Sequence, residues 1–275
     1  MSIICLGDFG SGTKEQYKVA RLVRNLIKKT RNCKLILGLG DNFYPDGVLS
    51  ETDPQFITKF EEPYAKIPNT IKFYNILGNH DYKGNPQAEI NYTNSNKGSG
   101  KWILPHNFYC FDYKIGGALV EFFAVDTNFD KMSSENREIQ EKWIHEALKY
   151  SKAQWKIVYS HHPSKSSGEH GSTPTDSPLD LFYSNLVENH KVDLILSGHD
   201  HDQQHIAING YPDLVVSGVG SKVRKHPEIL RNLKPGLKFY SERLGCCLIE
   251  INQERLKVNF YDVNGCRNYY FYVQK

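Results

Sequence analysis

Five short stretches of this chain end an apolar run in a polar cluster. They are Leu6-Gly7-Asp8-Phe9-Gly10, Leu39-Gly40-Asp41-Asn42-Phe43-Tyr44, Leu77-Gly78-Asn79-His80-Asp81, Tyr159-Ser160-His161-His162-Pro163 and Ser197-Gly198-His199-Asp200-His201. Brought together, they offer Asp8, Asp41, Asn79, Tyr44 and several histidines. So many polar groups at the ends of apolar runs are costly to desolvate without compensation. A pair of divalent or trivalent ions resolves that cost. Oxygen and nitrogen donors without Cys suit zinc, manganese or iron rather than a thiolate site. A carboxylate, with two oxygens and a full charge, can bridge two such ions. Two metals about 3.5–4 Å apart form a clamp for in-line displacement at phosphorus.

The elements that must position these groups can be read from the flanking runs. Ile3–Leu6, Lys34–Leu39, Ile71–Leu77, Leu119–Val125, Trp155–Ser160, Val192–Ser197 and Leu214–Ser217 are short and mostly continuous, the pattern of strands buried on both faces. In an α/β sheet, polar clusters after such strands meet at the carboxyl edge, where ligands bind. A Gly before each polar residue lets the backbone turn sharply and come close to a ligand. Val19, Leu22, Val23, Leu26 and Ile27 follow helical spacing, with Thr13 and Gln16 placed as a capping box. Ile139, Trp143, Ile144, Ala147 and Leu148 predict a second helix after Ser133, and Leu179, Phe182 and Leu186 a third. Tyr113–Val125 reads as a hairpin through Gly116-Gly117, and the tail Cys246–Val273 as three strands. Stretches 83–107 and 162–177 read as long irregular loops, a length that often serves function. No repeat, low-complexity tract or linker divides the sequence, so residues 1–275 are expected to form a single α/β domain with added antiparallel strands.

Composition narrows the setting. With 275 residues, 39% hydrophobic and 24% charged, the chain is globular rather than disordered, collagenous or membrane-spanning. A formal charge of +3 gives no electrostatic case for nucleic acid or membrane as a partner. The six cysteines include no CxxC pair and suit buried thiols in a reducing compartment, with two or three disulfides left open. The N-terminus has neither a basic segment nor an apolar core of signal-peptide length. A cytoplasmic location follows if the chain is native from Met1, a secretory or lysosomal-like one if it is trimmed. Eleven histidines are the unusual figure.

The five segments, in this order, resemble the calcineurin-like metallophosphoesterase superfamily. Tyr44 after Gly40-Asp41-Asn42-Phe43 narrows the likeness to the purple acid phosphatases, of the small, tartrate-resistant-like type. That resemblance implies a four-layer α/β/β/α sandwich with two central mixed sheets flanked by helices. It implies a binuclear centre of Fe(3+) plus a divalent ion (Fe, Zn or Mn). Asp8, Asp41, Tyr44 and His201 would hold the ferric ion, and Asp41, Asn79, His161 and His199 the divalent one, with Asp41 bridging. A Tyr44 phenolate on ferric iron would give a purple colour. The implied activity is that of an acid phosphatase: a metal-bound hydroxide attacks a phosphomonoester, and His80 or His170 protonates the leaving oxygen. Asp81 is placed to orient His80 or its loop. Small phosphate esters, a phosphoprotein or a nucleotide among them, are the implied substrates, acted on by a monomer. The alternatives are a phosphodiesterase or nucleotide phosphohydrolase on the same scaffold, and a metal-free scaffold protein.

Two positions depart from the family pattern. His162 follows the expected ligand His161, and His205 stands where the family often has Tyr. His106, His145, His190 and His226 match no motif and read as surface or boundary residues. The stretch Lys222–Lys238 reads as a solvated excursion that could also meet an anionic substrate.

Overall fold

The computed structural model describes residues 1–95, 97–115, 117–171, 177–225 and 236–275. Two seven-stranded mixed sheets lie at its centre. In the first, β1 (Ser2–Leu6), β2 (Cys33–Gly38), β3 (Lys72–Asn75) and β4 (Trp102–Ile103) run parallel. In the second, β5 (Tyr109–Ile115) pairs antiparallel with β6 (Ala118–Ala124), which continues in parallel through β7 (Trp155–Ser160), β8 (Leu194–Ser197) and β10 (Asp213–Ser217). Antiparallel β9 (Gln203–Ile206) and β11 (Leu237–Ser241) finish that sheet. The tail returns to the first sheet as β12 (Gly245–Ile251), β13 (Arg255–Asp262) and β14 (Arg267–Gln274), all antiparallel, beside β1.

Side-chain alternation divides the core. Val120, Phe122 and Ala124 of β6 join Ile157, Tyr159, Leu194 and Leu196 between the sheets. Phe123, with Val125 just beyond the strand, faces the other way, onto α3 (Ser134–Tyr150) and α4 (Pro178–Asn189). On the far side, α1 (Lys14–Thr30) buries Val19, Leu22, Val23 and Leu26 against the first sheet. The four-layer sandwich is therefore present. Ser133 and Ser177 cap α3 and α4 by accepting from the amides of Asn136 and Asp180.

Several local expectations change. Gln16 does not complete a capping box: its side chain accepts from Gly12 N at 2.7 Å and donates to Lys59 O. Ile139 is exposed, and the buried stripe of α3 is Gln140, Ile144 and Leu148. The stretch 83–107 contains α2 (Pro86–Asn94) and β4. Its buried positions, Ala88, Glu89, Ile90 and Tyr92, include a carboxyl and form no clean apolar stripe, which hides the helix. Gly116 of the hairpin turn, residues 172–176 of the second loop and residues 226–235 of the basic stretch lie outside the described residues. All six cysteines are unpaired, and Cys5, Cys246 and Cys247 are buried. Among the described residues no helix is long and apolar enough to cross a membrane.

Candidate functional site

The five polar segments directly follow β1, β2, β3, β7 and β8, or lie within a few residues of their ends. Three come from one sheet and two from the other, so the site forms where both carboxyl edges meet. Gly40 shows why the turn there lacks a side chain. Its φ is +82°, and a Cβ would meet His161 Nδ1 at 2.6 Å.

Two clusters of donor atoms share Asp41. In the first, the Tyr44 hydroxyl donates to Asp8 Oδ1 at 2.8 Å and to Asp41 Oδ2 at 2.7 Å, and lies 3.1 Å from His201 Nε2. In the second, His161 Nε2 lies 3.1 Å from Asn79 Oδ1, 3.1 Å from His199 Nδ1 and 3.4 Å from Asp41 Oδ1. His161 Nδ1 faces the carbonyl of Leu39 at 2.9 Å. A carbonyl only accepts, so Nδ1 carries the proton and the Nε2 lone pair points into the cluster, as metal-binding imidazoles are commonly held. All seven residues expected as ligands are thus in the two clusters, and the two Asp41 oxygens face different ones.

The electrostatics are those of a site built for cations. Asp8, Asp41 and His161 are almost fully buried. Burial, with Asp8 and Asp41 alongside, pushes the Tyr44 phenol well above its ordinary value. Burial opposes ionisation of Asp41, yet His161 and the amide of His80 hold its carboxyl below the usual range. Burial also opposes charge on His161, but Asp41 and Asp8 raise its proton affinity above that of a free imidazole. His199 is pushed far down by burial and by His161, His162 and His170 around it. The buried Nδ1 of His201 has no hydrogen-bond partner among the described residues. Asp8, Asp41 and His199 hold left-handed backbone, with φ of 58°, 51° and 67°. Such strain in non-glycine residues gathers at functional sites. The donor set, its unbalanced negative charge and the tautomer of His161 fit a pair of metal ions.

The remaining motif histidines divide. The His80 ring packs against Tyr44 with centroids 4.5 Å apart, and its Nδ1 faces the carbonyl of Pro45. Asp81 does not touch that ring. Its carboxylate accepts from the amides of Gly78, Asn42 and Phe43, so it orients the loop. His170 packs against His199, with centroids 4.0 Å apart. His162 sits 4.4 Å from the His199 ring, and Thr127 Oγ1 meets both its backbone N and its Nδ1. Burial and His161 push its pKa down to about 3. His205 is elsewhere: it stacks on Phe271 and bonds to Asp213 and Tyr269. His145 and His190 pair with each other at 2.7 Å, away from the motif segments. The motif pattern missed Thr127, Asn42 and Asp200. Asn42 and Asp200 carried a signal, each lying inside a motif between two expected ligands, and Thr127 did not.

The family model described as calcineurin-like phosphoesterase matches residues 1–203. Purple acid phosphatase 7 of Arabidopsis thaliana is 31% identical over 285 residues, covering 96% of this chain and 83% of that one. Tartrate-resistant acid phosphatase type 5 of Sus scrofa is 28% identical, with 96% and 84% covered. Among solved structures, one described as GAP50, the anchor in the inner membrane complex of Plasmodium, superposes with a TM-score of 0.85 at 24% identity, covering 100% of this chain and 88% of that one. The shared motifs, fold and relatives lead to one assignment: the chain belongs to the calcineurin-like phosphoesterases and, within them, to the purple acid phosphatases, a family of binuclear metallohydrolases.

Proposed function

We propose that this chain hydrolyses phosphomonoesters with an acidic pH optimum. Asp8, Asp41, Tyr44 and His201 would hold Fe(3+), and Asp41, Asn79, His161 and His199 a divalent iron, zinc or manganese. The observation that supports this reading best is Asp41, whose Oδ2 meets Tyr44 at 2.7 Å while Oδ1 lies 3.4 Å from His161 Nε2. When bound, the two ions supply Lewis-acid neutralisation of the phosphoryl oxygens and activate water for in-line attack, the trivalent ion at lower pH. The protein's own groups do the rest. His161 presents a lone pair because Leu39 holds its proton. His80 packs against Tyr44 and His170 against His199, and one of the two gives a proton to the departing oxygen. Asp81 holds the loop that carries Asn79 and His80.

Metal analysis with an absorption spectrum tests this reading. Purified protein is expected to carry about two metals per chain, iron included, with a broad visible band. The Tyr44→Phe variant should lose the band, and a band that persists would remove Tyr44 from the iron site. Faster cleavage of bis-nitrophenyl phosphate than of nitrophenyl phosphate would replace the monoesterase reading with a diesterase. A non-catalytic anchor is the second reading, favoured by the likeness to the Plasmodium anchor structure. Less than about one metal per chain after gentle purification would support it.

A further inference from the structure

We propose that Lys59 is the positioning residue for Tyr44: its ammonium holds the Tyr44 carbonyl, so that the phenol is aimed between Asp8, Asp41 and His201. This rests on the phosphatase reading above, which gives Tyr44 to the ferric site. Lys59 Nζ donates to Tyr44 O and to Gln55 Oε1. Tyr44 N donates to Gly10 O at 2.9 Å, so both main-chain groups of Tyr44 are held. From that fixed backbone the phenol reaches Asp8 Oδ1 at 2.8 Å and Asp41 Oδ2 at 2.7 Å.

A break in helical geometry brings Lys59 there. Ile57–Glu61 forms a single π-turn, in which Glu62 N donates to Ile57 O at 2.9 Å. Isolated turns of this kind are frequent at functional sites. An α-helix would pair Lys59 O with the amide of residue 63, but Pro63 has none. The fully buried Gln16 of α1 takes its place. Gln16 Nε2 donates to Lys59 O at 2.6 Å, and Oε1 accepts from Gly12 N at 2.7 Å. A Cβ at Gly12 would lie 3.4 Å from Lys59 Cγ, so the lysine stem lies over that glycine.

These bonds close a ring: Gly10 to Tyr44, Tyr44 to Lys59, Lys59 to Gln16, Gln16 to Gly12, and the chain from Gly12 back to Gly10. Asp8 stands two residues before Gly10. The ring therefore ties the turn that carries Asp8 to the loop that carries Tyr44. Lys59 is its one charged donor, and such bonds are stronger than neutral ones. Asn79, His161 and His199 of the second cluster stand outside it.

The test is a double-mutant cycle on the full chain, read by iron loss to a chelator, the visible band and divalent-ion content. Lys59→Met keeps the stem and removes the donor. It should lose iron about 10-fold faster than wild type, with a weaker band, and keep its divalent ion. In a Tyr44→Phe background the same substitution should change iron loss less than about twofold. Equal acceleration in both backgrounds, or parallel loss of both ions, would overturn the proposal, since Lys59 would then act on the fold at large. Lys59 is half-buried, and Lys59→Gln, too short to reach Tyr44 O, serves with the same expectations if Lys59→Met does not fold. Hydrogen exchange of residues 44–47 in metal-free protein gives a readout independent of metal and turnover. Lys59→Met should speed it about 10-fold at equal global stability in urea, and unchanged exchange would overturn the proposal. If wild-type protein binds no iron, the ferric reading fails, and the exchange result still decides whether Lys59 holds Tyr44.

Discussion

At the scale of single residues, Asp41 and Tyr44 carry the most chemistry. Asp41 accepts from the Tyr44 hydroxyl through Oδ2 and from the amide of His80 through Oδ1. Asp41→Ala is therefore expected to lose both metals, whereas His161→Ala should mainly weaken the divalent ion. Equal losses in the two variants, measured by elemental analysis after dialysis, would contradict the bridging role. Without a cation beside it Tyr44 stays protonated, because burial and two negative neighbours disfavour a phenolate. A trivalent cation reverses that balance, so the visible band should appear only as iron is added to the metal-free protein. A band that forms with zinc alone would show another origin for the colour. The ligand residue types were legible in the motifs. The partners that aim the site histidines were not: Leu39 acts on His161 through its backbone carbonyl, and Thr127 meets the neighbouring His162 across 35 residues of sequence.

At the scale of elements, the site depends on strands ending in register and on helices fixing the strands. Ile144 of α3 is fully buried in the outer layer with Val158 and Ile195. Ile144→Ala is expected to cost about 2–4 kcal/mol of stability, read by denaturant titration, while metal content and turnover at 25 °C stay near wild type. Loss of metal in that variant at a temperature where it remains folded would show that the outer helix shapes the site directly. Helices α1, α3 and α4 were legible because their buried residues recur at helical spacing. The short α2 was not, since it buries Glu89 beside Ala88 and Ile90 and gains its place from Asn42, which donates to Glu89 at 3.0 Å. Strands β9 and β11 escaped for a related reason. Gln203, Gln204 and His205 are buried by pairing between β10 and β11, not by being apolar.

At the scale of the whole molecule, the site is a concentration of buried ionisable groups in a nearly neutral chain. Burial and Asp41 push Asp81 up to about 8, and burial with Asp81 raises Glu89 well above its ordinary value. Burial likewise raises Asp126, and with Asp200 beside it Asp202. A carboxyl whose folded pKa is raised binds its proton more tightly when folded. Its contribution is present below the unfolded value near 4 and is lost as pH rises toward the folded one. His162 and His199 are depressed, so their opposing effect is confined to pH below about 6.5. Between pH 6.5 and 8 the carboxyls act without that opposition. Metal-free protein is therefore expected to lose about 1–2 kcal/mol over that interval, measured by urea titration at both values. Equal or greater stability at pH 8 would contradict this account of the buried carboxyls.

The sequence by itself determined the donor set, the α/β class and the strand ends that carry the motifs. These are local properties: a β-branched run, a glycine turn and a ligand-type side chain lie within a few residues of one another. Tertiary structure alone decided which atoms face each other. It gave the two Asp41 oxygens to different clusters, removed His205 from the site and put Asp200 under His170 rather than among the ligands. The physical reason is that hydrogen bonds and packing between two sheets join residues far apart in the chain. The direction of a side chain at a strand end depends on what the opposite sheet presents to it.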